Sequence, residues 1–187
     1  MTYSNRPLTA VLQARDSHDV ETLCAALSDT DPKVRRLAVH SLLKLGSPKA
    51  VDPLMRLARD SSDLQLRLLA INAVAAAGGA GRTSDLVQLA KSPNPLDVRV
   101  NAISALIDLR IPQAERLLAE LVESDELTRN SGRFQFQRAR LRWALSKLVE
   151  LEAVDAIPSI ERVLPLLDFR DRLRGRRAIR KLQPHRK

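Results

Sequence analysis

The side chains able to do chemistry in this chain of 187 residues are mostly cationic: 24 arginines and seven lysines face 22 carboxylates, giving a formal charge of +9. Guanidinium groups bind carboxylate or phosphate in bidentate fashion, so the chemistry on offer is recognition of anions. Catalytic groupings cannot be assembled. There is no Ser-His-Asp or Cys-His order, no HExxH, and no pair of carboxylates placed for burial. His18, His40 and His185 are scattered without metal-ligand spacing, and the single cysteine, Cys24, excludes an internal disulfide. Cys24 lies in VETLCAALS at a helical core spacing, where a buried, inert thiol is expected. Gly78-Gly79-Ala80-Gly81 has neither the strand before it nor the Lys-Ser/Thr after it that a phosphate loop requires, and Gly78 stands where a helix would end in a left-handed cap. The expectation is a protein that is not an enzyme, with no cofactor and no metal.

The charge is unevenly placed. Up to Thr128 there are 15 basic and 16 acidic residues; after it there are 16 basic and 6 acidic, densest in the run FRDRLRGRRAIRKLQPHRK from Phe169. An acidic partner for the last third is implied. The apolar run from Leu68 to Ala80 is too short to cross a bilayer, and the N-terminus lacks a basic-then-apolar export signal, so no membrane role and a cytoplasmic address are expected.

What must position these cations is a set of helices. Five segments align: VRRLAVHSLLKL from Val34, LRLLAINAVAAA from Leu66, VRVNAISALIDL from Val98, QRARLRWALSKL from Gln137 and DRLRGRRAIRKL from Asp171. Apolar or small residues four, seven, eight and eleven places after each start form a helical stripe. Asp31-Pro32, Asp63 and Asn94-Pro95 precede the first three segments and can cap them. Other helices lie between, opened by Ser47-Pro48, by Pro112 and by the stretch after Glu152. Strict alternation of a half-buried strand occurs nowhere. The chain therefore reads as all-α, an α-solenoid (superhelix) of about five antiparallel helix pairs, because a pair of short helices buries its apolar face only by stacking on the next. An N-terminal capping helix is expected over 1–18, followed by one repeat domain over 19–187 with repeats at approximately 19–46, 47–78, 79–110, 111–149 and 150–183.

These residues resemble the HEAT repeat. Its pattern is seen in Ala50-Val51 to Asp60 on a first helix and in Asp31, Val34-Arg35, Ala38, Leu42 and Leu45-Gly46 on a second. The resemblance is greatest to the short repeats of phycobilin-lyase-type proteins, covers roughly 19 to 182, and weakens in the fifth repeat, where Gln183 replaces the final Gly. It implies the fold, and for the recurring arginine it implies a role in bracing neighbouring repeats. It also implies, at one remove, action on phycobilin attachment as one of two cooperating chains.

Three features are candidate binding elements. An arginine recurs at one register, Arg35, Arg67, Arg99, Arg138 and Arg172; it is either a ladder for a phosphate backbone or a structural group paired with a carboxylate four residues earlier, as Asp31, Asp63 and Asp168 allow. In the last two segments, arginine replaces an apolar position: Val39, Ile71 and Ile103 become Arg142 and Arg176, and Arg177, Arg180 and Lys181 follow. A polar cap on a terminal repeat explains part of this, but not a single sign of charge. Repeat four carries extra length from Glu123 to Arg138, with Arg133, Phe134 and Phe136, whose rings either meet a partner or tuck under the loop as a small satellite core. Trp143 lies in the otherwise polar column of His40, Asn72, Ser104 and Arg177, among Arg138, Arg142 and Lys147, as an indole able to anchor a partner.

The reading that follows is a non-catalytic scaffold, monomeric or weakly self-associating, that binds a protein with an acidic surface. Its contact residues are Arg133, Phe134, Phe136, Arg138, Arg142, Trp143, Lys147, Arg172, Arg176, Arg177, Arg180 and Lys181. The alternatives are duplex nucleic acid held through its phosphates by the C-terminal arginines, and a phycobilin-lyase-like or chaperone subunit.

Overall fold

The computed structural model of the chain describes residues 6–91, 93–128 and 135–183. Among these residues there are twelve α-helices, short 3-10 turns and no β-strand. The chain falls into two compact units, one up to Ile111 and one from Pro112 onward.

The first unit holds α1 (Arg6–Asp16), α2 (Val20–Ala25), α3 (Pro32–Leu45), α4 (Val51–Asp60), α5 (Leu64–Ala76), α6 (Thr83–Leu89) and α7 (Leu96–Asp108). Helices α2 and α3, α4 and α5, and α6 and α7 pack as pairs; α1 leans on α2 and α3, and α3, α5 and α7 stack in order. The stripe read from the sequence is the core: Val34, Ala38 and Leu42 on α3, Leu66, Ala70, Ala73 and Val74 on α5, and Val98, Ala102, Ala105 and Leu106 on α7 are all buried. Ala38, Ala70 and Ala102, with Ser41, Ala73 and Ala105 one turn on, let the helix axes approach closely.

Helix ends follow from their residues. Asp31 accepts from the Lys33 N–H at 2.8 Å, Pro32 presets the first turn, and the helix stops at Gly46, whose φ of +58° suits glycine. Asp63 caps α5 through the Leu66 N–H at 3.2 Å. The third expected cap differs. Pro95, not Asn94, stands at the N-cap of α7 with no side-chain cap, and the Asn94 amide donates instead to the carbonyls of Gln88 and Lys91. After α5 the chain turns at Gly78, with φ of +72°, as its place in the sequence implies.

The second unit holds α8 (Gln113–Val122), α9 (Asp125–Thr128), α10 (Gln135–Glu150), α11 (Ile157–Val163) and α12 (Phe169–Leu182). Helix α8 packs on α10 and α11, and α12 packs on α10 and α11. Leu118, Leu121, Leu141, Leu148 and Ile160 fill this core. In the fifth segment Gly175 holds the register of Ala38, Ala70 and Ala102: a Cβ there would lie 2.5 Å from Leu164 Cδ2, so the absence of a side chain lets α12 settle on the end of α11. The extra length of repeat four begins as the single turn α9, with Leu127 and Thr128 buried. Arg133 and Phe134 lie outside the described residues.

Candidate functional site: a basic furrow between two helices

The recurring arginine has a structural task, with an acceptor different from the expected one. Asp31, Asp63 and Asp168 do not pair with the arginine four residues later, because each is turned back onto the backbone N–H groups of its own helix start. The guanidinium groups reach backbone carbonyls where the preceding helix ends. Arg35 donates to Asp29 O at 2.7 Å and Thr30 O at 3.0 Å, Arg67 to Ala58 O at 2.9 Å, and Arg172 to Leu164 O and Leu167 O, both at 3.0 Å. The last carbonyls of a helix lack intrahelical partners and carry partial negative charge, so a cation there satisfies both needs. Bracing between repeats is also present: Arg67 Nη2 donates to Asn94 Oδ1 at 3.4 Å, Arg36 meets Asp63 at 3.4 Å, and Arg138 pairs with Asp168.

The cations not engaged in this way gather elsewhere. Helices α10 and α12 leave a furrow between them in two stretches that share Arg142 and Arg174 in their walls. One, of about 190 Å³, is walled by Arg142, Ser146, Arg174, Arg177 and Lys181 over Leu145, Val149 and Ala178. The other, of about 450 Å³, shares Arg142 and Arg174 and continues past Gln135, Phe136, Arg138, Ala139 and Arg170. On α12 the wall is formed by Arg170, Arg174, Arg177 and Lys181, spaced 4, 3 and 4, which is one face of a helix.

Two of the wall arginines are held in place. Asp171, only 1% exposed, accepts from Arg174 and lies 3.9 Å from Arg138, while Asp168 accepts from Arg138 and from the Asp171 N–H at 2.9 Å. That backbone N–H, aided by Arg138, holds the Asp168 carboxyl below its usual range. Among the described residues, Arg142, Arg170, Arg177 and Lys181 meet no carboxylate within 4.0 Å. The furrow therefore offers four unneutralised cations around two pinned ones. Phe136 stands at one end with 76% of its surface exposed, and Phe169, next to Arg170, is 79% exposed.

Of the residues singled out in the sequence, Phe136, Arg138, Arg142, Arg177 and Lys181 line the furrow. Phe136 does not join a satellite core, contrary to that alternative, since its ring is exposed. Arg172 is engaged with three carbonyls, and Lys147 pairs with Glu150 at 2.8 Å, so neither faces the furrow. Arg176 and Arg180 are exposed on another face of α12, and Trp143 is half-buried on α10 outside the lining. Arg170 and Arg174, from the same arginine-rich run, complete the wall, and the 4-3-4 spacing of α12 is the signal that marks them.

Other grooves are less distinctive. In the second unit, α8 and the start of α11 border one of about 460 Å³ with Glu115, Glu120, Glu123 and Asp155, where Arg116 pairs with Glu120 at 2.8 Å and Arg162 with Glu123 at 2.6 Å. In the first unit a groove of about 490 Å³ includes Cys24, Arg35, Arg56 and Asp60. Cys24 is half-buried rather than buried, and desolvation pushes its thiol up. Among the described residues no group of three metal-ligating side chains converges, and no helix is long and apolar enough to cross a membrane.

Comparison with known proteins fits this architecture. Residues 8–75 match the family model of HEAT repeats. No curated protein matches the sequence. Among solved structures, the chain is similar to the complex of CpcE and CpcF of phycocyanin lyase from Nostoc sp. PCC7120, with a TM-score of 0.65 and 25% identity over 89% of this chain and 65% of that one. It thus spans about two thirds of that neighbour's length. A designed armadillo repeat protein, YIII(Dq)4CqI, aligns with a TM-score of 0.49 and 16% identity over 92% of this chain and 85% of that one. With its repeat helices, capping turns and buried stripe, the chain has the HEAT-like α-solenoid fold.

Proposed function

We propose that this protein is a non-catalytic HEAT-like scaffold that binds a partner protein through the furrow between α10 and α12. The observation that carries the reading is the combination of Arg142, Arg170, Arg177 and Lys181, without carboxylate partners among the described residues, and an apolar floor beneath them. An acidic protein surface can use both; the phosphates of a duplex use only the cations. Arg172 and Arg35, engaged with carbonyls, offer no ladder to a phosphate backbone. A photo-crosslinking residue placed at Ser146, inside the furrow, is compared in cells with one at Arg176, outside it. Protein adducts from position 146 alone are the expected result. Nucleic-acid adducts, or equal adducts from both positions, would overturn the reading. For duplex binding, the affinity would fall with salt with a log-log slope of about −4 to −5 for four to six phosphate contacts.

A second reading is favoured by the similarity to a two-chain phycocyanin lyase complex: this chain serves as one subunit of a lyase-like pair. Co-expression with an apo-phycobiliprotein and pigment, with and without a candidate second chain, tests it. Pigment attachment measured by absorbance supports this reading, and unchanged spectra in both cases sink it.

A further inference from the structure

We infer that the furrow takes an acidic amphipathic helix of its partner, lying along α10 and α12; the inference rests on the furrow being the partner-binding surface. The charges are the first reason. Arg142 on one wall and Arg170, Arg177 and Lys181 on the other lie at helical spacings, so their complement is a ligand with carboxylates on both flanks of one face. The floor is the second. Leu145 and Ala178 are buried, Val149 is half-buried, and Phe136 extends the apolar strip at one end with its ring exposed. A ligand that is acidic on both sides and apolar between them is an amphipathic helix seated in a groove.

The backbone supplies the third reason. An extended peptide gains its affinity by adding to a sheet edge, and the described residues contain no strand, so both walls are helices whose backbone groups are already paired. A helical ligand brings its own backbone hydrogen bonds and asks only for side-chain contacts. Length agrees: from Gln135 to Val149 the α10 wall runs about 21 Å and from Arg170 to Lys181 the α12 wall runs about 16 Å, which suits a helix of about 11–14 residues.

The experiment uses the full chain and three labelled probes followed by fluorescence anisotropy. The first is a peptide of about 14 residues made of Glu, Leu and Ala, with leucines at i, i+3, i+4 and i+7. The second has the same composition in scrambled order, and the third is a short DNA duplex. The patterned peptide is expected to bind about tenfold or more tightly than the scrambled one. Phe136→Ala, at an exposed position, should weaken the patterned peptide several-fold and leave the scrambled one unchanged. The double variant Arg142→Glu/Arg177→Glu should weaken both, with circular dichroism confirming that the chain stays folded. Equal affinity for the two peptides overturns the helical occupant but not the furrow as a protein-binding surface. Preference for the duplex, or peptide binding indifferent to the double variant, overturns the furrow reading and this inference with it.

Discussion

Helices α3 and α5 in the first unit meet by the same register that brings α10 against α12 in the second, and the two contacts have opposite outcomes. Helix α10 faces α12 with Arg142, Leu145 and Ser146. The equivalent residues are Val39, Leu42 and Leu43 on α3, and Ile71, Val74 and Ala75 on α5. Val39, Leu42, Ile71 and Val74 are sealed from solvent. Across the groove, Leu69 and Ala73 on α5 correspond to Arg174 and Ala178 on α12. Burying two guanidinium groups against one another costs far more than the contact returns, so Arg142 turns to water, Arg174 is held by the buried Asp171, and a furrow lies between the helices. Two changed side chains thus turn a sealed contact into a furrow while the helices are kept.

The largest test of this comparison exchanges the residues. Val39→Arg places a charge where nothing can pair with it and should cost about 3–5 kcal/mol or prevent folding. Arg142→Val should move stability by no more than about 1 kcal/mol. Urea unfolding of both variants is the measurement, and similar costs would show that the two contacts do not differ as described. Next comes the division between arginines that close turns and arginines that are free. Arg172→Ala loses charge-assisted bonds to three carbonyls and should cost about 2–3 kcal/mol. Arg176→Ala, exposed on the same helix, should stay within about 0.5 kcal/mol. Equal effects would erase the distinction.

The smallest effect concerns Asp168. Asp168→Ala removes the cap of α12 and should cost about 1 kcal/mol, whereas Asp168→Asn keeps a capping oxygen and loses the charge together with the second oxygen that accepts from Arg138. Because the folded state lowers the pKa of this carboxyl, its contribution is complete above the unfolded value of about 3.9 and is lost as pH falls through the folded value. The stability gap between the native chain and Asp168→Asn should therefore close below about pH 4. Thermal melts across that range decide it, and a gap that persists at the acid end would mean that the charge is not what stabilises the cap.

The repeats were legible in the sequence because packing of paired helices imposes a period on the apolar residues, and Ala38, Ala70 and Ala102 sit where that period places them. The caps were legible where an aspartate stood alone before a helix. Asn94 misled because the following Pro95 takes the N-cap place itself and leaves the amide to serve two carbonyls. For the arginine column, spacing alone found the carboxylate four residues earlier but not that helix starts claim it first. Backbone carbonyls leave no mark in a sequence, so the true acceptors of Arg35, Arg67 and Arg172 could not be read there. The furrow was partly legible. Arginine at the Val39 register points to Arg142, the run from Phe169 holds Arg170 and Arg174 without marking the face they share, and Trp143, set in a polar column, is half-buried outside the lining.

Asp168 has one more consequence, for motion. One oxygen of its carboxylate accepts the Asp171 N–H in the first turn of α12 and the other accepts from Arg138 on α10, so fraying of that turn loosens one of the contacts that hold a furrow arginine. Deuterium uptake at the Asp171 amide would then report how often the furrow's edge lets go, and an occupant that holds the walls together would slow that uptake without touching the amide itself.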